Sequence, residues 1–278
     1  MTLLTGTIVN GERATYRIKG VKGGGAQSTV YLAEICGEPA CPCIIKEIAD
    51  HFVQEKSRMT AINAFRAEAA AIMTMTQPDL VRLIDFFSIE NRHYTAMEHV
   101  EGRNLSSLLA SRKEPYGERI AVEWGIRICR ALYFLHIQNP PVSFGNLKPS
   151  SIILCQDGTL KLSEFGLALH FRPQSPAFDK GDKDCPYTPP EFFIPECRTD
   201  PRGDLYALGA ILYEICTGQS PGNGFPMTKN IALELGVIIE KSTNADPEMR
   251  FKDAREMKNA LVDALKNPDI GRAARGNA

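Results

Sequence analysis

No run in this sequence approaches the ~18–20 consecutive apolar residues that a membrane-spanning helix requires, so no membrane span is expected. Neither sign of charge is in excess. Thirty-two Lys+Arg stand against 33 Asp+Glu, a formal charge of −1. A chain so balanced has no global attraction for nucleic acid, and no nucleic-acid partner is expected. The eight cysteines include no C-x-x-C pair and read as reduced, mostly buried thiols, the pattern of a cytoplasmic protein. The opening MTLLTGTIVNGER has neither a basic start nor a long apolar stretch, so a cleaved signal peptide is not expected. Apolar residues are not lacking. A 44% hydrophobic and 23% charged composition excludes a largely disordered chain. The 278 residues fit one large domain or two intimate lobes.

One cysteine cluster stands out, Cys36, Cys41 and Cys43 in ICGEPACPC. A structural zinc site usually needs four ligands in paired spacing, and only His51 is near enough in sequence to complete these three. The simpler reading is a strand–turn–strand with Gly37 and Pro39 in the turn, and no metal site is expected.

The chain changes character near residue 100. Before it, short runs rich in β-branched and aromatic residues dominate (ATYRIKGV, STVYLAEIC, CIIKEI, LVRLIDFFSI, HYTAMEHV). They are interrupted by one Ala-rich helical stretch from Thr60 to Met75, with apolar residues at Ile62, Phe65, Ala69 and Ile72. After it, helices are expected over Glu118–Gln138, Asp204–Gly218 and Phe251–Leu265. The second is apolar on every side and hence buried. Between the first two, SIILC and TLKLS read as strands joined at Gln156-Asp157-Gly158. The expected architecture is α+β and bilobal: a small β-rich lobe with one main helix (about 1–97), a connection (about 98–102) and a larger helical lobe (about 103–265). Residues 266–278 read as a tail or linker. A cleft between two lobes is a common place for a small ligand.

Three residues in a row, Gly23-Gly24-Gly25, lead through Ser28 to Val30. Glycines let a backbone approach phosphates closely, though they also make ordinary hairpin turns. Lys46 lies in a mostly apolar strand, where it needs a partner. Glu68 on the Ala-rich helix could supply one, unless both are solvated.

In that order the features resemble a eukaryotic-type Ser/Thr protein kinase domain over roughly residues 15 to 265. The glycine-rich loop is similar to Gly23–Val30, with Ser28 replacing its third glycine. Lys46 and Glu68 match the family's ion pair. MEHVEG resembles the hinge, with Met97 as gatekeeper followed by Glu98 and Val100. FGNLKPSSII resembles the catalytic loop and ends near Ile153. Glu164-Phe165-Gly166 stands at D-F-G, Pro189-Pro190-Glu191 at A-P-E, and Asp204 opens the buried helix. Arg250 matches the partner of Glu191. The resemblance implies a nucleotide site built from Gly23, Gly25, Val30, Ile44, Lys46, Glu68, Met97, Glu98, Val100 and Ile153. It also implies that Ile72, Leu83, Phe144 and Phe165 stack as a spine.

The departures bear on function. The family's catalytic Asp is Asn146, and an amide cannot take the substrate proton. Its Arg is Gly145 and its His is Phe144. The Mg²⁺-holding Asn is Ser151. The D-F-G aspartate is Glu164, of the right charge on a longer stem. Only Lys148 stands unchanged among the four polar side chains of the chemistry. Ile44 takes the place of an alanine that faces the adenine ring, where a larger side chain overfills the slot. The segment between Gly218 and Asp246 is too short for both helices the family places there, so the first of them is expected to be short or missing. The expected function is a pseudokinase, a degenerate kinase-like module for binding a protein partner, with ATP weak or absent. Two alternatives remain: an atypical active kinase using Glu164 and Ser151 for Mg²⁺, and another nucleotide transfer on the same fold.

Overall fold

The computed structural model describes residues 3–25, 28–48, 55–90, 92–163, 165, 167, 185–193, 200–222, 224–226, 231–268 and 270. These fall into two units that divide between Glu101 and Gly102, with Leu167 belonging to the first.

The first unit is a six-stranded antiparallel sheet. Its strands are β1 (Ile8–Asn10), β2 (Thr15–Gly25), β3 (Ser28–Ile35), β4 (Cys41–Ile48), β5 (Leu83–Ile89) and β6 (Arg92–Glu98), in the order β1-β2-β3-β4-β6-β5. Alternation along the strands sorts the side chains into two faces. One face carries Tyr16, Ile18, Tyr31, Ala33, Cys43, Ile45, Phe87, Tyr94 and Ala96, all buried in one core. Within it, the Phe87 ring stacks on Tyr16 at 5.6 Å and on Tyr94 at 5.2 Å between centroids. Helix α1 (Glu55–Met73) covers part of the other face, with Phe65 edge-on to Phe86 and beside His93. It begins earlier than the apolar periodicity announces, because its polar first turn has no apolar face to read.

Two buried carboxylates in this unit are fully engaged. Asp85 accepts from Tyr16 Oη (3.0 Å), Arg13 N (2.9 Å) and Phe86 N (2.9 Å). Glu47 accepts from Tyr31 Oη at 2.9 Å and is ion-paired with Arg92. Charges removed from water must be paired in this way to be tolerated.

The second unit is mainly helical. It holds α2 (Leu105–Ala110), α3 (Glu118–His136), α4 (Arg202–Thr217), α5 (Leu233–Ser242) and α6 (Ala254–Leu265). A small sheet of β7 (Gly102–Asn104), β8 (Ile152–Cys155) and β9 (Leu160–Leu162) completes it. The β8–β9 turn has Gly158 at φ +78°, and Asp157 accepts from Thr159 N and Oγ1. Helix α4 is buried along most of its length and stops at Gly218, whose φ of +69° an L side chain resists. Gly125 lets α3 approach Leu212 and Leu261, and Gly209 lets α4 approach Ser242.

Among the described residues, no helix lies between α4 and α5. Instead Phe225 packs edge-on against Tyr206 and Tyr213, and Tyr213 Oη donates to Pro226 O at 3.2 Å. The short connection is thus pinned by aromatic contacts. Residues 227–230, which precede α5, lie outside the described residues. At the other end, Ile270 is buried and its N–H bonds Asn267 O, so packing continues into the expected tail.

Candidate functional site

Four of the expected nucleotide-site residues share one face of the first unit's sheet. Register places Val30 opposite Lys46 and Leu32 opposite Ile44 across β3–β4, and Ile44 opposite Met97 across β4–β6. Gly23 pairs with Val30 and so adjoins the same group. The neighbours of Ile44 and Lys46 along β4, Cys43 and Ile45, point into the core on the opposite face. Strand pleating alone therefore brings Val30, Ile44, Lys46 and Met97 together. Lys46 is buried and Glu68, on α1, is half-buried. Glu98 ends β6 and its Oε1 accepts from Arg82 N, while Val100 follows in irregular chain. Ile153 belongs to the second unit, on β8 opposite Asn104.

Gly23, Gly24 and Gly25 are ladder residues of β2, paired with Val30, Thr29 and Ser28. A Cβ on Gly24 would stand 2.8 Å from Ser28 O, so glycine there allows the strands to close. The stretch expected as a glycine-rich loop, Gly23–Val30, is thus strand ladder at Gly23–Gly25 and at Ser28–Val30. The hairpin tip, residues 26–27, lies outside the described residues.

In the second unit, Asp204 organises the loop that carries Asn146. Its Oδ2 accepts from Phe144 N (2.7 Å), Ser143 Oγ (3.1 Å) and His136 Nε2 (2.9 Å), and its Oδ1 from Gly145 N (2.9 Å). Gly145 sits at φ +72°, where glycine is unstrained and an arginine would cost about 1–2 kcal/mol. Phe144 is fully buried and meets Phe165 at 5.3 Å between centroids, the expected contact within this unit. Ile72 and Leu83 are buried in the first unit. Asn146 and Lys148 are half-buried.

Ser151 is fully buried, and its hydroxyl works in both directions on one residue. Oγ donates to Lys148 O at 2.8 Å and accepts from Lys148 N at 3.0 Å. Its carbonyl accepts from Ser163 N (2.8 Å) and Ser163 Oγ (3.3 Å). Composition and motif spacing gave no sign of this turn, because it depends on the backbone path after Lys148. A magnesium ion takes hard oxygens at ~2.0–2.1 Å in near-octahedral geometry. A buried hydroxyl that already donates and accepts within its own turn does not fit that part. Glu164, the other expected cation ligand, lies outside the described residues, as does Gly166. The cysteine cluster is the expected strand–turn–strand; among the described residues no group of His, Cys, Asp and Glu is arranged to hold a metal, and His51 lies outside them.

Elsewhere in this unit, Glu191 and Arg250 form a buried bidentate pair at 2.5 and 2.7 Å. Arg250 also donates to Asn244 O at 2.8 Å and lies over the Tyr206 ring. Tyr187 Oη donates to Glu214 of α4. Burial pushes the Glu214 carboxyl above the ordinary carboxylate range, and the Tyr187 bond only partly offsets it.

A β-sheet unit followed by a helical unit, with a lysine strand and an aspartate-braced loop, defines a protein-kinase-like fold. The family model for the protein kinase domain matches residues 16–269, and the chain belongs to that family. It is 28% identical to the probable serine/threonine-protein kinase CPE1738 of Clostridium perfringens, over 92% of this chain and 39% of that protein. It is 27% identical to the serine/threonine-protein kinase PrkC of Bacillus subtilis, over 95% of this chain and 42% of that protein. The chain thus spans about two-fifths of the length of these relatives. The Mycobacterium tuberculosis PknI kinase domain has the same fold, with a TM-score of 0.71 at 19% identity, covering 94% of this chain and 99% of that one. No helix among the described residues is long and apolar enough to cross a membrane.

Proposed function

We propose that this chain is a catalytically impaired protein-kinase domain that acts by binding a protein partner, as a regulatory module. The observation that carries the reading is the Ser151 hydroxyl, committed on both sides to Lys148 at the position where the family holds Mg²⁺. Asn146 supports it. A side-chain amide is no general base, and losing a base removes roughly 10²–10⁴ in rate, about 3–5 kcal/mol of barrier. Phosphoryl transfer depends almost wholly on positioning and charge, so a family member without these two groups keeps the scaffold and loses the chemistry. The intact parts are structural: Asp204 with four donors, the Phe144–Phe165 contact, and the buried Glu191–Arg250 pair.

ATP is bound weakly or not at all, because Ile44 stands between Leu32 and Met97 on the face that carries Lys46. The partner is a protein rather than nucleic acid, in keeping with a charge near zero, and the setting is cytoplasmic. The test is transfer from radiolabelled ATP with Mg²⁺, to generic substrates and to the protein itself. No transfer above a buffer control is expected. Robust transfer that disappears in Lys46→Ala would overturn the reading.

A further inference from the structure

Between α2 and α3 the chain is neither helix nor strand over residues 111–117, and residues 110–115 are all exposed. Ser111 stands at the C-terminal end of α2, where its N–H donates to Ser107 O at 3.2 Å. Its hydroxyl donates to Leu108 O at 2.9 Å and accepts from Arg103 Nη2 at 3.2 Å. Arg103 lies on β7, opposite Leu154, and the same Nη2 also donates to Ser107 O at 3.4 Å. The guanidinium is therefore laid along α2 with its end on Ser111.

Both oxygens that Arg103 meets are neutral. Among the described residues no carboxylate pairs with it, with Arg112 or with Lys113. Arg112 instead lies over the Tyr116 ring, 4.2 Å from its centroid, and donates from Nε to Glu114 O at 3.2 Å. Between residues 103 and 115 these three cations stand against one acidic residue, Glu114, a formal excess of two positive charges. A phosphate monoester near neutral pH carries about −1.5 to −2 and matches that excess. Arginine binds phosphate through charge-assisted bonds roughly twice as strong as a bond to a neutral hydroxyl. The negative end of a helix disfavours an anion, but α2 has only six residues and Arg103 already covers that end.

We propose that Ser111 is a phosphorylation site whose phosphoester is held by Arg103. The phosphoryl donor is ATP, used by a separate Ser/Thr kinase for which this chain is the substrate. Ser111 Oγ bonds to Pγ, the bond from Pγ to the ADP oxygen breaks, and ADP leaves. The hydroxyl proton passes to the base of that kinase. The exposed, irregular run after α2 brings the acceptor into another enzyme's site without unfolding the domain. The ester oxygen no longer donates to Leu108 O, and the phosphate oxygens take Arg103 in charge-assisted bonds instead. The phosphate thereby ties the end of α2 to β7. The site is independent of whether this domain itself transfers phosphate.

The test uses the whole folded chain in two forms. In the first, the Lys46→Ala chain is incubated with ATP, Mg²⁺ and a Ser/Thr kinase that selects basic residues after its acceptor, as Arg112 and Lys113 follow Ser111. Phosphopeptides are then mapped by mass spectrometry. The Lys46 change removes transfer by the domain itself, so the outcome is separate from the proposed function. Phosphate on Ser111, lost in Ser111→Ala, is expected. In the second, phosphoserine is genetically encoded in place of Ser111 and its phosphorus resonance is followed with pH. The second ionisation, at about 6 in a free phosphoserine, should fall by about 0.5 pH or more relative to the same chain unfolded in urea. Arg103→Gln should abolish the fall, and Arg103→Lys, which keeps the charge without the planar fork, should retain part of it. No phosphate on Ser111, an ionisation that does not move on folding, or a fall that survives Arg103→Gln would each overturn the proposal.

Discussion

The hydroxyl of Ser151 closes a turn that the longer side chain of an asparagine would have to leave or rebuild. Ser151 Oγ is the acceptor of Lys148 N, so Ser151→Ala leaves that N–H without its partner, while Lys148 O keeps the Ser151 N–H at 2.9 Å. The expected loss is about 1–3 kcal/mol of stability, read as a lower urea midpoint with unchanged slope. Glu214 supplies a second expectation at this scale. Its carboxyl is raised by burial, so in the folded chain it holds a proton at pH values where the unfolded chain has released it. The sign follows from linkage. Stability from this group is fully present below the unfolded carboxylate pKa of ~4.5 and is lost as pH rises through the folded value. Glu214→Gln keeps an acceptor for Tyr187 Oη and removes the titration. Urea midpoints of the wild type should therefore fall more steeply than those of the variant as pH rises above the unfolded carboxylate value of ~4.5. Parallel profiles would contradict this account.

At the level of elements, α4 was the easiest to foresee and its neighbourhood the hardest. A run apolar on all sides, closed by Gly218, announces a buried helix, and the observed Arg202–Thr217 differs from the expected span only at its ends. The strands were legible because alternation separates Tyr31 and Ala33 from Val30 and Leu32, and that same pleat places Ile44, Lys46 and Met97 on one face. The polar start of α1 was not legible, since Glu55 to Met59 offers no apolar stripe. Nor was the local turn at Ser151, which the spacing of motifs cannot encode. The close approach of α4 to α5 at Gly209 was equally hidden, as a glycine inside a helix reads as a weak former until its neighbour is known. A Cβ there would lie 2.1 Å from Ser242 Oγ and 2.9 Å from both Ser242 Cβ and Thr243 Cγ2. Gly209→Ala should thus separate the helices and cost about 1–3 kcal/mol. Gly125→Ala meets only the ends of Leu261 and Leu212 at 3.0 and 3.1 Å, which can shift. Its unfolding midpoint should lie closer to that of the wild type. Equal losses in the two variants would show that α4–α5 packing is looser than the distances indicate.

For the whole molecule, the question is whether a kinase scaffold whose chemical groups are changed can be made to work by restoring them. The altered groups lie in both units. Ile44 belongs to the sheet of the first, while Asn146 and Ser151 belong to the loop that Asp204 holds in the second. Nucleotide binding comes first. A ligand at 100 times its dissociation constant stabilises by ~2.7 kcal/mol, well within the reach of a thermal shift. ATP with Mg²⁺ should shift the wild type little and Ile44→Ala more. Transfer comes second, and its terms share one transition state, so they do not add independently. On the proposed reading, Asn146→Asp alone supplies a base but restores no Mg²⁺ ligand, and should recover little. Adding Ser151→Asn and Glu164→Asp should do better, provided the turn at Lys148 survives, and adding Ile44→Ala better still. That ordering, measured with radiolabelled ATP on the purified chain, separates a scaffold emptied of its chemistry from one that never needed those groups. If Asn146→Asp alone restored most of the transfer, the hydrogen-bonded Ser151 would not be the barrier to magnesium that its geometry implies.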